Sequence, residues 1–290
     1  MEKHLSIVVP IHKASKESSI SPLKTWTSEI DERCSLILTL DHKEEKDSLT
    51  EWCKKEMPSE AVIVHGEFGN PGQTRNNGLK RVSCQWLAFV DSDDYFDSSS
   101  AVDSIEHFDK SYDLIICNFL SISEINGRIF KGRNPRSLAD LFPELGFWRI
   151  LYKSEFVKDL EFPAFRMGED QVFFSRVLSR GPKIAFSSRV IYNYVLSPSN
   201  QLSKVESSLS ELGKSLEHMR IELLQSSQYL DFRKLVLFRQ EMSYAFGTQK
   251  KSLRTSISLL KRLELSPKGI GLAIKCFKNL LLWYMKRKVF

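Results

Sequence analysis

The chain has 290 residues, 42% of them hydrophobic and 27% charged, which is typical of one large globular domain or one domain with an appendage. No run of about 18 apolar residues occurs, so a membrane-spanning helix is not expected. The short apolar run near the N-terminus contains Pro10 and does not resemble a signal peptide. Five scattered cysteines without a CxxC pair exclude a disulfide framework and a zinc knuckle, and favour a reducing cytoplasm.

The net charge of +6 is unevenly distributed along the chain. Residues 201–290 hold 17 Lys and Arg against 7 Asp and Glu, a balance of +10, whereas residues 1–200 hold 25 against 29. This asymmetry predicts two regions with different surfaces. A basic region can face anionic lipid, an anionic substrate or nucleic acid, or it can simply be a solvated helical surface.

Short apolar runs of strand length recur through the first 120 residues, separated by helix-compatible stretches of roughly 15–25 residues. The runs are LSIVVPI (5–11), SLILTL (35–40), AVIVHG (61–66), WLAFV (86–90) and DLIICNFL (113–120). Near-continuous apolar character is typical of strands buried on both faces. The alternation predicts an α/β fold with a mostly parallel central sheet.

Polar side chains follow three of these strands. Pro10 and His12 end the first, Asp41 ends the second, and Asp91 and Asp93 follow WLAFV. In parallel sheets, ligands bind beyond the carboxyl ends of the strands. We therefore expect these three strand ends to converge on one crevice.

The segment WLAFVDSDDYF (86–96) places crowded carboxylates directly after a buried strand. Like charges this close repel each other, so a positive group must offset them or they must lie in open solvent. A bend after the strand can direct Asp91 and Asp93 towards one point, and Mg²⁺ or Mn²⁺ bound there would bridge to a diphosphate. The alternative is a turn with helix-capping aspartates.

The segment GNPGQTRNNGLK (69–80) predicts a helix that begins near Pro71. Free N–H groups at a helix start can meet an anion, and Arg75 would lie on this helix near the crevice. The P-loop pattern GxxxxGK[ST] and the dinucleotide pattern GxGxxG are both absent from the sequence. The usual phosphate-binding loops are therefore excluded although the fold pattern is that of a nucleotide-binding protein.

Residues 120–200 are less regular and contain aromatic patches. We interpret Phe147 and Trp148 as core aromatics rather than sugar-stacking ones. Arg149 and Lys153 could bind phosphate or an acidic acceptor, but we interpret them as surface charges on an amphipathic helix. After about residue 203 the pattern becomes helical, because SLSELGKSLEHMRIELL and FRKLVLFRQEMSYAF have apolar residues at three- and four-residue spacing.

The last segment, GLAIKCFKNLLLWYMKRK, predicts a basic amphipathic helix. It would place Ile274, Phe277, Leu281 and Tyr284 on one face, with lysines on the flanks. Such a helix can lie on an anionic membrane surface, here the inner face of the cytoplasmic membrane. It can equally pack on the domain with its lysines in water.

Five segments in register resemble glycosyltransferase family 2, whose inverting members adopt the GT-A fold. The segments are SIVVPIHK, LTLDHKEEKDS, GNPGQTRNNGLKRVSCQWLAFVDSDDYF, GFWRILYKSEFV with MGEDQVFFSRVL, and VIYNYVLSPSNQLS. The resemblance covers about residues 4–203. It implies a GT-A domain over 1–203, with a nucleotide-sugar half (1–120) and an acceptor half (121–203), followed by a helical basic region over 204–290.

The resemblance implies a set of donor-binding residues: Pro10, His12, Asp41, Arg75, Asp91, Ser92 and Asp93. Asp41 would contact the nucleoside and Arg75 the base or diphosphate. Asp91 and Asp93 would hold the ribose and the metal–diphosphate, the metal being Mn²⁺ or Mg²⁺. The family's V-D-D-G-S and I-P-x-Y-N are LDHKE and VPIHK here, so the nucleoside side departs from the family's pattern.

On the acceptor side, the resemblance implies that Asp170 is the general base and that Glu169 assists or orients it. Without the resemblance, GED before VFF could simply begin a helix, whose dipole favours acidic residues there. The implied reaction is a metal-dependent, inverting sugar transfer from a nucleotide-diphosphate sugar, with a UDP-sugar favoured. The implied acceptor is a hydroxyl of a glycan or lipid-linked glycan of a bacterial surface polysaccharide such as lipopolysaccharide or capsule.

Two rival interpretations remain at this stage. A nucleotidyltransferase would need a glycine-rich N-terminal loop, which VPIHKASKESS lacks. A non-catalytic protein that binds sugar nucleotides or glycans on a degenerate transferase scaffold is also compatible with the altered LDHKE segment. A nucleic-acid partner is not expected, because no interleaved arginine and aromatic recognition motif occurs.

Overall fold

The computed structural model describes residues 2–12, 20–42, 48–132, 134–196, 206–247, 259 and 263–288. The chain forms two compact units, each built from separate segments. The first unit comprises Met1–Pro135, Phe147–Ala164 and Lys183–Pro198, and the second comprises Arg136–Gly146, Phe165–Pro182 and Ser199–Phe290. The predicted boundary at residue 203 lies outside the described residues. Two segments of the predicted acceptor half, 136–146 and 165–182, belong to the same unit as the C-terminal helices.

The first unit contains one sheet, which has nine strands in the described part of the chain. The strands are β1 (Leu5–His12), β2 (Cys34–Asp41), β3 (Val62–Gly66), β4 (Trp86–Phe89), β5 (Tyr95–Phe96), β6 (Leu114–Ser123), β7 (Ile129–Lys131), β8 (Ile150–Lys153) and β9 (Ile184–Leu196). Their order is β3-β2-β1-β4-β8-β6-β9-β5, with β7 paired to β6. All five strands that the apolar runs predict are confirmed.

The sheet has a parallel half and a mixed half. β3, β2, β1 and β4 are mutually parallel, which confirms the predicted α/β fold. β8 lies antiparallel between β4 and β6, whereas β9 runs parallel to β6. In β1, Leu5, Ile7, Val8 and Val9 are all fully buried, as expected of a strand covered on both faces.

The described helices of the first unit are α1 (Ser21–Thr27), α2 (Ser48–Glu56), α3 (Pro71–Leu79), α4 (Ser98–His107) and the short α5 (Ser154–Val157). α3 begins where the sequence predicts, because the Asn70 side chain accepts a hydrogen bond from Gln73 N (2.9 Å) and Pro71 occupies the first turn. Gly78 lets α3 approach the sheet, since a Cβ there would collide with Val8 and Thr39.

The predicted amphipathic helix around Arg149 is wrong. Residues Phe147–Arg149 form one 3₁₀ turn that leads directly into β8. Arg149 is 1% exposed and its guanidinium lies 4.8 Å from the centre of the Phe119 ring. A buried cation on an aromatic face gives no periodic sequence signal, which is why the pattern suggested a surface charge. Lys153 ends β8, and its Nζ donates to Lys110 O (2.9 Å).

The second unit is helical, as predicted for the C-terminal region. Its described α-helices of more than one turn are α6 (Glu169–Ser179), α7 (Glu206–Gln225), α8 (Leu230–Gly247) and α9 (Pro267–Lys288). Arg233 is buried among them and donates to Ser175 Oγ (3.1 Å) and Ser226 O (3.0 Å). None of the helices in the described part of the chain has the length and apolar character needed to span a bilayer.

Ile274 and Leu281, which the sequence predicts on one face of α9, are exposed, whereas another face of the helix is buried. Small and medium side chains, Ala273, Cys276 and Asn279, are buried, and Phe277 packs against other aromatic rings of the unit. Ile274 and Leu281 are 66% and 59% exposed. The side chain of Tyr284 lies outside the described residues.

Candidate active site

The carboxyl ends of three parallel strands meet at one edge of the sheet. In the register of β1 and β2, His12 lies beside Asp41, and Asp41 in turn lies beside Gly66 of β3. Val90 N donates to Val8 O (3.0 Å), so Asp91 comes directly after the last bond between β4 and β1. The structure therefore brings the predicted strand-end residues to the same edge. There, Pro10 is half-buried and His12 is exposed.

Asp41 organises the loop that leads into α3. Its Oδ1 accepts hydrogen bonds from Phe68 N (2.6 Å) and Gly69 N (2.9 Å). Gly69 has φ +74°, a left-handed conformation that glycine adopts without strain. The neighbouring His42, which departs from the family's pattern, is buried, and its carbonyl accepts from Gly66 N (3.1 Å). Lys43 and Glu44, the last two residues of the LDHKE segment, lie outside the described residues.

Arg75 is the positive group that partly offsets the crowded carboxylates. Its Nη2 donates to Asp91 Oδ1 at 2.8 Å, and its side chain is only 6% exposed. The guanidinium lies over the rings of Phe147 (4.8 Å) and Phe162 (5.6 Å). These aromatic faces hold the cation while its edge reaches the carboxylate.

Asn76, the next residue of the T-R-N segment, is a structural residue. Its side chain is buried, donates to Phe162 O (2.9 Å) and accepts from Phe162 N (2.8 Å). This pair ties α3 to the segment that carries one of the two rings beside Arg75. The sequence gives no signal of this role, because no local pattern indicates a partner 86 residues away.

Asp91, Ser92, Asp93 and Asp94 form a tight turn, closed by a hydrogen bond from Asp94 N to Asp91 O (3.2 Å). Asp91, Ser92 and Asp93 are half-buried. Burial, together with the nearby Asp91 carboxylate, raises the pKa of Asp93 to about 6. Ionisation of Asp93 therefore lowers the free energy of unfolding when no cation is bound nearby.

The Asp94 side chain is buried, whereas those of Asp91 and Asp93 are half-buried. It is 2% exposed, its Oδ2 accepts from the Tyr192 hydroxyl (2.7 Å) and its Oδ1 accepts from Val195 N (2.6 Å). Burial and the charges of Asp93 and Asp91 raise the pKa of Asp94 well above its ordinary value. The sequence shows only a third crowded carboxylate and gives no signal that it is an anchor.

The donor set at this turn fits a divalent cation. Asp91 and Asp93 supply hard carboxylate oxygens, and a cation near Asp93 would offset the cost of its ionisation. Within the described ranges, no group of three or more His, Cys, Asp and Glu side chains forms a complete metal cage. Mg²⁺ commonly binds through one or two carboxylates plus substrate phosphates, so a two-carboxylate site matches that habit.

Asp170 and Glu169 belong to the second unit, at the start of α6. Gly168 precedes them with φ +82°, and a Cβ at this position would collide with Ser215. Asp170 Oδ1 accepts from Gln171 N (2.8 Å) and Oδ2 accepts from Gln171 Nε2 (3.1 Å). Glu169 is buried, whereas Asp170 is half-buried. The first turn of a helix favours acidic residues, so this position also suits Asp170 and Glu169 as residues that only begin the helix.

The aromatic residues next to Arg149 pack within the first unit, as interpreted from the sequence. Phe147 is buried beside Phe89 and Phe162. Trp148 stacks on Tyr192 (4.4 Å between ring centres) and on Tyr194 (5.7 Å).

Comparisons with known proteins show the family of this chain. The model of glycosyl transferase family 2 matches residues 6–179, more than half of the chain. EpsH of Bacillus subtilis is 24% identical over 192 residues, which cover 60% of this chain and 56% of EpsH. The chain thus matches little more than half the length of this relative.

Two solved structures share the fold. S. aureus TarS in complex with UDP-GlcNAc has a TM-score of 0.65 at 18% identity. The matched region covers 96% of this chain and 89% of the TarS chain. The mannosyltransferase PcManGT from Pyrobaculum calidifontis, in complex with GDP-Man and Mn²⁺, has a TM-score of 0.56 at 13% identity, covering 97% and 88%.

Proposed function

Because this chain belongs to glycosyl transferase family 2, we propose that it moves a sugar from a nucleoside-diphosphate sugar to a glycan hydroxyl, with inversion at the anomeric carbon. The observation that carries the proposal is the Asp91–Asp94 turn, which presents two half-buried carboxylates beside the buried Arg75 at the carboxyl edge of a parallel sheet. The acceptor we propose is a bacterial surface glycan or its lipid-linked precursor.

The donor would lie at the sheet edge formed by Pro10, His12, Asp41 and the Asp91–Asp94 turn. Asp91 and Asp93 would hold Mn²⁺ or Mg²⁺, which, when bound, neutralises charge on the diphosphate leaving group. Arg75, already paired with Asp91, would add positive charge near the diphosphate and keep Asp91 oriented. UDP is the nucleotide favoured here, in keeping with the UDP-GlcNAc complex of the TarS neighbour.

Asp170 would act as the general base. Gln171 donates to both oxygens of the Asp170 carboxylate, which fixes the orientation of the carboxylate. A carboxylate placed at the attacking hydroxyl can accept its proton. Glu169 would assist by adding negative charge at the same helix start. Attack on the face opposite the leaving diphosphate gives the inverted product.

Release of UDP from UDP-sugars, with water as acceptor, tests the proposal without knowledge of the natural acceptor. The wild type should release UDP from at least one UDP-sugar in the presence of Mn²⁺. Asp170→Asn should abolish release but bind UDP as the wild type does, because the base does not contact the nucleotide. If the wild type binds UDP but never turns over any UDP-sugar, the non-catalytic binding protein becomes the better account.

The exposed side of α9 supports a second part of the proposal, contact with an anionic membrane. Ile270, Ile274 and Leu281 are each more than half exposed, and exposed lysines such as Lys278 lie along the same helix. Apolar side chains beside lysines match the interface of an anionic bilayer, where lysine stems reach the headgroups. Residues 201–290 carry a net positive charge, which an anionic membrane surface attracts.

Vesicle sedimentation tests the membrane contact. The doubly substituted Ile274→Ser, Leu281→Ser protein should sediment with phosphatidylglycerol vesicles at less than half the wild-type fraction. Leu224→Ser is the matched control, because Leu224 is 88% exposed on α7 of the same unit. Equal sedimentation of all three proteins would remove this part of the proposal.

A further inference from the structure

One hydroxyl group holds both ends of the Asp91–Asp94 turn. Tyr192 Oη accepts a hydrogen bond from Asp91 N (3.2 Å) and donates one to Asp94 Oδ2 (2.7 Å). The turn itself is closed by Asp94 N and Asp91 O. Asp91 and Asp94 therefore cannot separate without breaking contacts to a single side chain. Ser92 and Asp93 lie between these two fixed points.

Asp94 also connects the turn to the last residues of β9. Its second oxygen accepts from Val195 N (2.6 Å), three residues after Tyr192 on the same strand. β9 pairs antiparallel with β5, which places Phe96 beside Tyr192 just after the turn. Both described partners of the Asp94 carboxylate thus come from one strand, 98 and 101 residues further along the chain.

The ring that carries the hydroxyl is itself immobilised. Tyr192 is completely buried, and its ring stacks on Trp148 at 4.4 Å between centres. A buried hydroxyl without an acceptor costs free energy, so the hydrogen bond from the Tyr192 hydroxyl to Asp94 keeps the hydroxyl in one orientation. A buried carboxylate with two donors and no exposed surface cannot act on a ligand directly. Its effect on the neighbouring carboxylates must pass through the geometry of the turn.

We infer that Asp94 and Tyr192 are positioning residues, which hold the Asp91 and Asp93 carboxylates at the spacing required for a metal–diphosphate. This inference rests on the proposed function of the turn. Groups that orient metal-binding side chains typically change metal affinity when they are replaced, although they do not touch the metal. The residues Asp94 and Tyr192 form one unit here, because each satisfies the other.

Binding of UDP in the presence of Mn²⁺, measured by titration calorimetry, tests the inference. Tyr192→Phe keeps the stacked ring and removes only the hydroxyl. Asp94→Asn leaves the Tyr192 proton without its carboxylate acceptor. Each substitution should raise the dissociation constant about 3- to 10-fold, the change that one hydrogen bond typically contributes. The double variant should bind no more than about twofold more weakly than the weaker single variant, because the two residues act together.

Tyr152→Phe is the matched control for lost packing or lost stability. Tyr152 is also fully buried in the first unit, and its hydroxyl donates to Phe147 O (3.3 Å). This variant should bind UDP with Mn²⁺ within about twofold of the wild type. Thermal midpoints without ligand show which variants are folded at the temperature of the titration. If Asp94→Asn is unfolded, the milder Tyr192→Phe alone tests the inference.

Two results separate the failure of this inference from that of the proposed function. If the wild type binds UDP with Mn²⁺ and both folded variants bind it equally well, Asp94 and Tyr192 have no positioning role. If the wild type itself shows no Mn²⁺-dependent binding of UDP or GDP, the proposed donor site fails and this inference fails with it.

Discussion

Replacing Asp93 with asparagine should stabilise the protein at neutral pH in the absence of metal, while it removes one of the two proposed metal ligands. Burial and the Asp91 carboxylate raise the pKa of Asp93 to about 6 from the ordinary 3.8. Between these pH values the folded protein keeps a proton that the unfolded chain has lost. The stability contributed by this group therefore falls as the pH rises from about 4 to about 6, and the full cost remains above pH 6.

The size of the effect follows from the shift. About two pKa units correspond to up to about 3 kcal/mol of unfolding free energy. For a chain of this length, a change of that size moves the thermal midpoint by up to about 5 °C. Asparagine has nearly the same shape as aspartate and no charge, so the variant does not lose stability through ionisation at this position.

The assay compares thermal unfolding of wild type and Asp93→Asn from pH 4 to pH 8 in EDTA. The variant should gain stability relative to the wild type as the pH rises, with the difference levelling off above about pH 7. Asp97→Asn is the control for loss of a nearby carboxylate, because asparagine can still accept the hydrogen bond from Ser100 N that caps α4. A pH-independent difference between wild type and Asp93→Asn would refute the reasoning.

Two further substitutions test the surroundings of the site, and a third tests an ion pair just before the start of β2. Arg75→Lys should weaken UDP–Mn²⁺ binding about tenfold by calorimetry, because lysine cannot keep both the Asp91 contact and the aromatic faces. Asn76→Ala should lower the free energy of unfolding by about 2 kcal/mol in urea, since two buried hydrogen bonds are lost. Hydrogen bonds from Arg33 lower the pKa of Asp31 to about 2, so Asp31→Asn should cost about 1–2 kcal/mol at pH 7 and progressively less as the pH falls from about 4 to 2.

The parallel half of the sheet could be predicted because its strands are buried on both faces and appear as unbroken apolar runs. The strand-end residues could be located for the same reason, since the end of each run fixes a position on the sheet edge. The start of α3 was also predictable, because Asn70 and Pro71 determine it locally. These features depend on neighbours within a few residues along the chain.

Features that depend on distant partners could not be predicted. Asp94 looks like its neighbours in the sequence, and only Tyr192 and Val195, about a hundred residues later, make it an anchor. Arg149 lies on a polar–apolar pattern that favours a surface helix, yet the Phe119 ring accommodates it in the core. The roles of Asp170 and Glu169 stay predictions, since a helix start attracts acidic residues whether or not they are catalytic.

Thermal unfolding with UDP, with and without Mn²⁺, tests the central claim most directly. At about 100 times its dissociation constant, a ligand stabilises the folded state by roughly 2.7 kcal/mol, a shift that is easily measured. The account predicts that UDP stabilises the wild type only with Mn²⁺, and that Asp93→Ala removes this stabilisation. The same stabilisation without metal, or its persistence in Asp93→Ala, would contradict the assignment of the Asp91–Asp94 turn as a metal–diphosphate site.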